Sequence, residues 1–496
     1  MAEHLDVIIV GAGLSGIGAA CHLRQRCPGR SVAVLEARDA VGGTWDLFRY
    51  PGVRSDSDMY TLGYSFRPWT DGDAIADGPS ILRYIEDAAR ESGISKDIRF
   101  GYRVVSANWD SEAAQWTVMA NRADTGEDVT LTSAYLWMCT GYYRYDEGFS
   151  PVFPGAAQFE GQIIHPQHWP AELDYAGQQV VVIGSGATAV TLVPAMAAAA
   201  GHVTMLQRSP TYIVAAPRRD PIANLVRQWL PASTAYSAIK WKNALLDLAT
   251  YQLSRRRPNL MKALVRSNNR KQLPAGYDVD THFAPRYNPW DQRMCLSPDG
   301  DLFEEIRAGT VSVVTDVIET FTQRGIRLKS GRELTADIVV AATGLNLLAL
   351  GGIKLSVDSR EIELSSTVSY KGMMLSGIPN LIWTLGYTNA SWTLKADLIA
   401  RYACRLINYM DAKGFASVTP VPPPSGELAP LIGLSSGYVR RSIDALPRQG
   451  GDLPWRLHQN YLRDRRLLTR GPLDDDVVFT ARSKTPAPQS ATSQSA

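Results

Sequence analysis

Gly11, Gly13 and Gly16 follow the apolar run DVIIV and open an Ala-rich stretch. The next apolar run, SVAVLE, ends at Glu36, 20 residues after Gly16. In this spacing the first glycine permits a tight turn, the second lets a pyrophosphate approach the backbone, and the third lets a helix pack on a strand. Amides at the start of that helix face phosphates, and the carboxylate accepts hydrogen bonds from ribose hydroxyls. Gly184, Gly186 and Ala189 repeat the pattern after QVVVI, but the strand that follows, VTMLQR, ends in Gln207 and Arg208. A carboxylate would repel a 2′-phosphate, whereas a guanidinium can bind one with two parallel hydrogen bonds. The other reading of Arg208 is a cation solvated at a strand end. Between the two copies lies GGTWDLFRYPGVRSD, ending at Asp56. Its glycines and aromatics suit a loop lying against a large planar ligand, with Trp45 and Tyr50 as walls; an ordinary surface loop is the alternative. An acid-ended turn beside such a loop suits FAD, and an arginine-ended turn suits NADPH over NADH.

Each copy needs a strand, a turn, a helix and a second strand, which is the opening of a dinucleotide-binding βαβ unit. Two copies about 170 residues apart predict an α/β fold with two Rossmann-like dinucleotide-binding domains. The 496 residues are too many for one ordinary core. The stretch WLPASTAYSAIKWKNALLDLATYQLSRRR has helical period and marks a helical insertion. Strand signals return at VSVVTDVIETF and ADIVVAATGL, and a helix follows NASWTLKADLIARYACRLINYM. The expected layout is FAD-binding over 1–145 and 376–482, NADP-binding over 146–210 and 325–375, and the insertion over 211–324. The small polar residues of 483–496 predict a disordered tail.

Composition removes several function classes. The net charge is only +2, and no nucleic-acid module is present. The five cysteines form no CxxC pair, which argues against a disulfide framework and against a dithiol–disulfide reductase. No HExxH or similar spacing occurs among the seven histidines, so no metal site is expected. The opening MAEHLDVIIVGAG has no secretory pattern and no run of about 18 apolar residues occurs, so the expectation is a cytoplasmic protein. Arg255, Arg256 and Arg257 stand near Trp229 and Trp241. Weak peripheral contact with a membrane surface is one reading of that cluster, and a solvated helical insertion is the other.

The segment FEGQIIHPQHWP, with Phe159, Gly161, His165 and Trp169, resembles the fingerprint FxGxxxHxxxW(P) of the type I Baeyer–Villiger monooxygenases, a group of class B flavin monooxygenases. Gly42 to Asp56 resembles their pattern GGxWxxxx(F/Y)PGxxxD. Within the family, RYPGVRSDSDMYTLG, YNPWDQRMCL, KGMMLSGIPN and YTNASWTLKADL are similar to the ethionamide-activating branch. The resemblance implies Arg293 as the active-site arginine and Asp56 as the acid that orients it. From the bare sequence, Arg293 reads as a surface cation. The resemblance also implies FAD contacts at Gly11, Gly13, Ser15, Gly16, Glu36, Gly43, Thr44, Trp45, Asp46, Asp56 and Val104. Arg54 and Ser55 fall where the nicotinamide cofactor approaches the flavin. Ser185, Ala187, Thr188 and Val190, with Gly184, Gly186, Ala189, Arg208 and Ser209, match the NADP site. His165 and Trp169 match a linker that couples domain motion.

The implied activity is insertion of one atom of dioxygen beside a ketone carbonyl, via a C(4a)-peroxyflavin, to give an ester. Gln292 stands where many members have Lys, so NADPH should be preferred without absolute selectivity. Arg54-Ser55-Asp56 replaces the frequent RCD, and Leu345-Asn346 replaces an aromatic and an acid; these departures tell against the cyclic-ketone preference of better-known members, and open-chain ketones are the expected substrates. Competing readings are heteroatom oxygenation of a sulfide, thioamide or amine, and a non-catalytic flavin redox sensor.

Overall fold

The computed structural model describes residues 2–422 and 426–482, so the tail expected at 483–496 lies outside the described residues. The first βαβ unit is β1 (Glu3–Val10), α1 (Leu14–Arg26) and β2 (Val32–Leu35). The second is β3 (Gln179–Ile183), α2 (Ala187–Ala197) and β4 (His202–Gln207). Val7, Ile8 and Ile9 are buried on both faces of β1, as a parallel strand covered on both sides requires.

The two units seed two sheets. In the nine-stranded sheet, β1 lies between β2 and Asp128–Met138, parallel to both. Tyr102–Asp110 and Gln115–Arg122 extend it antiparallel, and Leu381–Trp383 returns to pair with Asp128–Met138. The second sheet is five-stranded and parallel, in the order Val311–Thr315, β4, β3, Ile338–Ala341, Gln162–Ile164. The fold is therefore mixed α/β with two dinucleotide-type sheets.

Two expected borders do not follow the sheets. Val311–Thr315 falls within 211–324, yet it pairs with β4 as an edge strand of the second sheet. Lys354–Val357 falls within 325–375, yet it pairs with Tyr102–Asp110 of the first sheet. Both strands are short, and only their distant partners fix where they belong. The chain re-enters the first sheet soon after Ile338–Ala341.

The insertion is helical, with Pro221–Trp229, α3 (Ala232–Arg256) and Pro258–Gln272 as its main helices. It is tied to the first sheet's helical layer. The Tyr236 hydroxyl donates to the Tyr64 carbonyl at 3.0 Å, and Lys240 Nζ donates to the Gly63 carbonyl at 2.9 Å. The later helix α4 (Trp392–Lys413) packs against α1.

The segment after Gly43 makes one helical turn, Thr44–Leu47, and then crosses to the second sheet. Tyr50 and Val53 are buried in the core that α2 builds on that sheet. Gly52, at φ +75°, lies so close to α2 that a Cβ there would meet the Ala195 Cβ at 2.6 Å and the Thr191 carbonyl at 2.8 Å.

Candidate active site

One cavity of about 1100 Å³ is lined by both glycine turns. That exceeds the usual size of a site for a single small ligand. At the first turn, Gly11 sits at φ +101°, and a Cβ on Gly16 would lie 1.8 Å from the Gly11 carbonyl oxygen. Gly16 thus packs helix on strand and does not itself line the cavity. Gly13 and Gly186 occupy the N-cap positions of α1 and α2, and neither helix has a side-chain cap. Their first amides are left for an outside acceptor, which is what a phosphate supplies. Glu36 is buried at the rim. Its Oε2 accepts from the Ala12 amide at 2.7 Å and its Oε1 from the Arg38 amide at 3.0 Å. Carboxylate oxygens held in this way keep lone pairs for hydroxyl donors from the cavity.

The loop that follows supplies Gly43, Thr44, Trp45, Arg54, Ser55 and Asp56 to the lining. The Thr44 hydroxyl lies 3.2 Å from the Tyr145 hydroxyl. Ser55 Oγ is buried without a partner among the described residues. Arg54 is paired with Asp301, while its Nη2 has no partner. Asp46 behaves differently from the expected contact. It is buried behind the cavity between Arg38 and Arg49 and does not line it, because two guanidiniums hold it there. Val104, from the strand Tyr102–Asp110, and Ser15 also line the cavity. Ser15 Oγ accepts from the Trp392 indole at 2.7 Å.

At the second turn Gly184, Ser185, Gly186, Ala187 and Thr188 line the cavity. Gly184 is at φ +138°, and a Cβ there would meet the Ala342 carbonyl at 2.3 Å. Ala189 and Val190 are fully buried against the sheet and do not reach the cavity, so in this structure they are packing residues. Arg208 and Ser209 are exposed at the rim, and Arg208 forms no ion pair among the described residues. Gln207 points away, donating to the His282 carbonyl and to Thr315 Oγ1, each at 2.8 Å.

Arg293 faces the space between the two turns. Its Nη2 lies 3.3 Å from Asp56 Oδ2, and about a third of each side chain is reached from the cavity. The Asp56 charge holds the guanidinium pKa above its already high ordinary value, so Arg293 is a fixed cation. Around it stand Tyr142, Tyr143 and Tyr438. Burial pushes the Tyr142 phenol well up and that of Tyr438 to about 12, so both stay protonated. The Tyr142 ring stacks on Trp392 with centroids 5.2 Å apart. Sequence reasoning missed these four aromatics. GYYRYD after the strand YLWMCT was a signal for two of them; Trp392 lies in the matched segment YTNASWTLKADL, which gives it no role, and Tyr438 arrives from a distant segment that carries no signal.

The fingerprint residues do not line the cavity. Phe159 packs edge-on to Phe321 at 5.8 Å, and Trp169 packs near Tyr175 at 6.4 Å. A Cβ on Gly161 would meet the Asp337 carbonyl at 2.2 Å. His165 Nδ1 accepts from the Gln167 amide at 3.2 Å, which makes Nε2 the protonated nitrogen; it donates to the Gly344 carbonyl at 3.2 Å. Gln167 in turn donates to the carbonyls of Arg144 and Tyr145, each at 2.9 Å. The fingerprint thereby fixes the strand that carries Tyr143 and Tyr145, and the turn after Ile338–Ala341. Burial lowers the His165 pKa, which favours this neutral form. Among the described residues no cluster of three or more metal-ligating side chains occurs.

The family model "flavin-binding monooxygenase-like" matches residues 5–408. The chain is 57% identical to the FAD-containing monooxygenase EthA of Mycobacterium tuberculosis over 490 residues, 98% of this chain and 99% of that one. It is 50% identical over 489 residues to the putative FAD-containing monooxygenase MymA of the same organism, covering 97% and 98% of the two chains. Among solved structures, an oxidized steroid monooxygenase bound to NADP superposes with a TM-score of 0.75 at 22% identity, covering 97% of this chain and all of that one. That last likeness is one of fold.

Proposed function

The chain belongs to the flavin-binding monooxygenase-like family, and on that premise we propose that it inserts one oxygen atom of dioxygen beside the carbonyl of an open-chain ketone. The products are an ester, NADP⁺ and water. FAD takes the first glycine turn and NADPH the second. The observation that carries this reading is the Arg293–Asp56 pair, placed where both turns open into one cavity.

The residues suit these two cofactors. The uncapped amides of α1 and α2 meet the pyrophosphates, Glu36 accepts from ribose hydroxyls, and Arg208 reads the 2′-phosphate. FAD, when bound, supplies two-electron transfer from NADPH and the activation of dioxygen. The chain's own contribution is electrostatic. Arg293 cannot release its proton at working pH, so it stabilises developing negative charge without quenching it by proton transfer. Asp56 positions the guanidinium from the loop that touches both cofactor sites. Tyr142, Tyr143 and Trp392 supply an aromatic wall beside it; with both cofactors bound, less water would reach Arg293 and its interaction with developing charge would strengthen.

The test is product analysis by mass spectrometry with NADPH, oxygen and a panel of open-chain ketones, cyclic ketones and sulfides. Esters from open-chain ketones are expected. Sulfoxides with no ester would move the assignment to heteroatom oxygenation, and NADPH-independent behaviour with no product would leave only a flavin-binding sensor.

A further inference from the structure

Between Pro221 and Gln272 the sequence holds ten Lys and Arg against one acid, Asp247. The chain as a whole is only +2, so the rest of the molecule is net acidic and the positive charge is concentrated on the insertion. The same three helices expose apolar stripes. Ile222, Leu225 and Trp229 stand at i, i+3 and i+7 of Pro221–Trp229, and Trp229 is 80% exposed. On α3, Leu246 at 61% and Leu253 stand at i and i+7, and the stripe runs out into exposed Arg256 and Arg257. On Pro258–Gln272, Leu260 and Leu264 stand at i and i+4, followed by exposed Lys271.

Some of the basic groups serve the fold. Lys242, Arg255, Arg266 and Arg270 pair with Asp220, Asp291 and Asp280, whereas Arg256, Arg257 and Lys271 have no carboxylate partner among the described residues. The Asp220–Lys242 pair also sets Pro221–Trp229 alongside the first half of α3. The insertion therefore combines exposed leucines and a tryptophan with unpaired cations on long stems. Amphipathic helices with this composition settle at the boundary between acyl chains and headgroups, and Lys and Arg reach outward to anionic lipid. A second copy of the chain is a poorer partner, because a two-fold contact of this face with itself would set like charges against one another. No described helix is long and apolar enough to cross a membrane, so the contact would be peripheral.

We propose that the helical insertion is a docking surface for an anionic lipid bilayer, with Ile222, Leu225, Trp229 and Leu246 entering the interface and Arg256, Arg257 and Lys271 meeting the headgroups. This reading is independent of the reaction proposed above.

The experiment is co-sedimentation of the full-length holoenzyme with phosphatidylglycerol–phosphatidylcholine vesicles and with pure phosphatidylcholine vesicles, at low and at physiological salt. Binding to the anionic vesicles, at least tenfold above the neutral ones and weakened by salt, is expected. The triple variant Ile222→Ser, Leu225→Ser, Trp229→Ser should weaken it by about tenfold or more. The variant Arg256→Gln, Arg257→Gln, Lys271→Gln should weaken it by about a hundredfold, from roughly fivefold per cation. All six positions are exposed, so both variants should keep the parent far-UV circular dichroism and the parent NADPH oxidation in solution. No binding to anionic vesicles at low salt, equal binding to both vesicle types, or binding unchanged by the apolar triple variant would overturn the proposal. So would a Trp229-dependent dimer in lipid-free sedimentation velocity without vesicle binding, which gives the face to a second copy.

Discussion

Arg293 Nη2 and Asp56 Oδ2 lie 3.3 Å apart although 237 residues separate them in sequence. One comes from the segment after the insertion's main helices, the other from the loop that follows the first glycine turn. Both side chains line the cavity that the two glycine turns open into, which is where the proposed oxygen transfer would develop charge.

Removing the cation tests that placement. Arg293→Ala should lower ester formation by about a hundredfold or more, the usual cost of losing a charge-stabilising donor. NADPH should still be oxidised, with hydrogen peroxide as the product. Measuring peroxide and ester in parallel separates these. Ester made at the parent rate would reduce Arg293 to a structural cation.

Glu36 makes two backbone contacts and faces the cavity, so its substitution should loosen FAD. Glu36→Ala loses a charged acceptor worth about 1.5–3 kcal/mol per hydrogen bond, a tenfold to hundredfold weaker affinity for each bond lost. Flavin absorbance per chain after dilution and gel filtration reports it. Full retention would argue that the carboxylate only braces the turn through the Ala12 and Arg38 amides.

Arg208 stands at the rim without an ion-pair partner among the described residues. Arg208→Ala should therefore weaken NADPH by about tenfold to a hundredfold and leave NADH nearly unchanged. Steady-state kinetics with both cofactors gives the comparison. A parallel loss for both would show that the guanidinium does not read the phosphate.

His165 gives a pH signature. Burial lowers its folded pKa below the ordinary 6.5, so the unfolded chain binds the proton more readily than the folded one. Its contribution to stability should be complete above about 6.5 and decline as pH falls from there toward the lowered folded value. A plot of Tm against pH should show that acid limb, and His165→Gln should flatten it. The same variant should also perturb the strand bearing Tyr143 and Tyr145, because the Gly344 and Gln167 contacts are its anchors. An unchanged acid limb would assign the pH sensitivity elsewhere.

Glycine turns are legible because their demands are local. Gly11 and Gly184 need positive φ and close approach, and no other residue type meets both cheaply. Glu36 and Arg208 follow at the ends of strands whose length is set by the βαβ unit. Where the chain departs from its sequence reading, the deciding partner is far away. Val311–Thr315 and Lys354–Val357 are ordinary short strands until paired with β4 and Tyr102–Asp110. Asp46, Ala189 and Val190 sit inside matching motifs yet face away from the cavity, because a motif records neighbours in sequence and not the direction of a side chain. Tyr438 joins the Arg293 wall from a segment that carries no signal of its own, and Trp392 from a matched segment that does not say which way the indole points.

Gly52 lies against Thr191 and Ala195 of α2, with Tyr50 and Val53 sunk into the same core. The loop bearing Asp56 belongs by chain to one sheet and by packing to the other. For anyone recombining relatives of this enzyme, that makes 44–56 and 187–197 a single heritable unit. A crossover between them would import a loop shaped for a different helix, and the misfit would be felt first at Asp56. Crossovers that keep the two segments from one parent should yield far more active chimeras than those that split them.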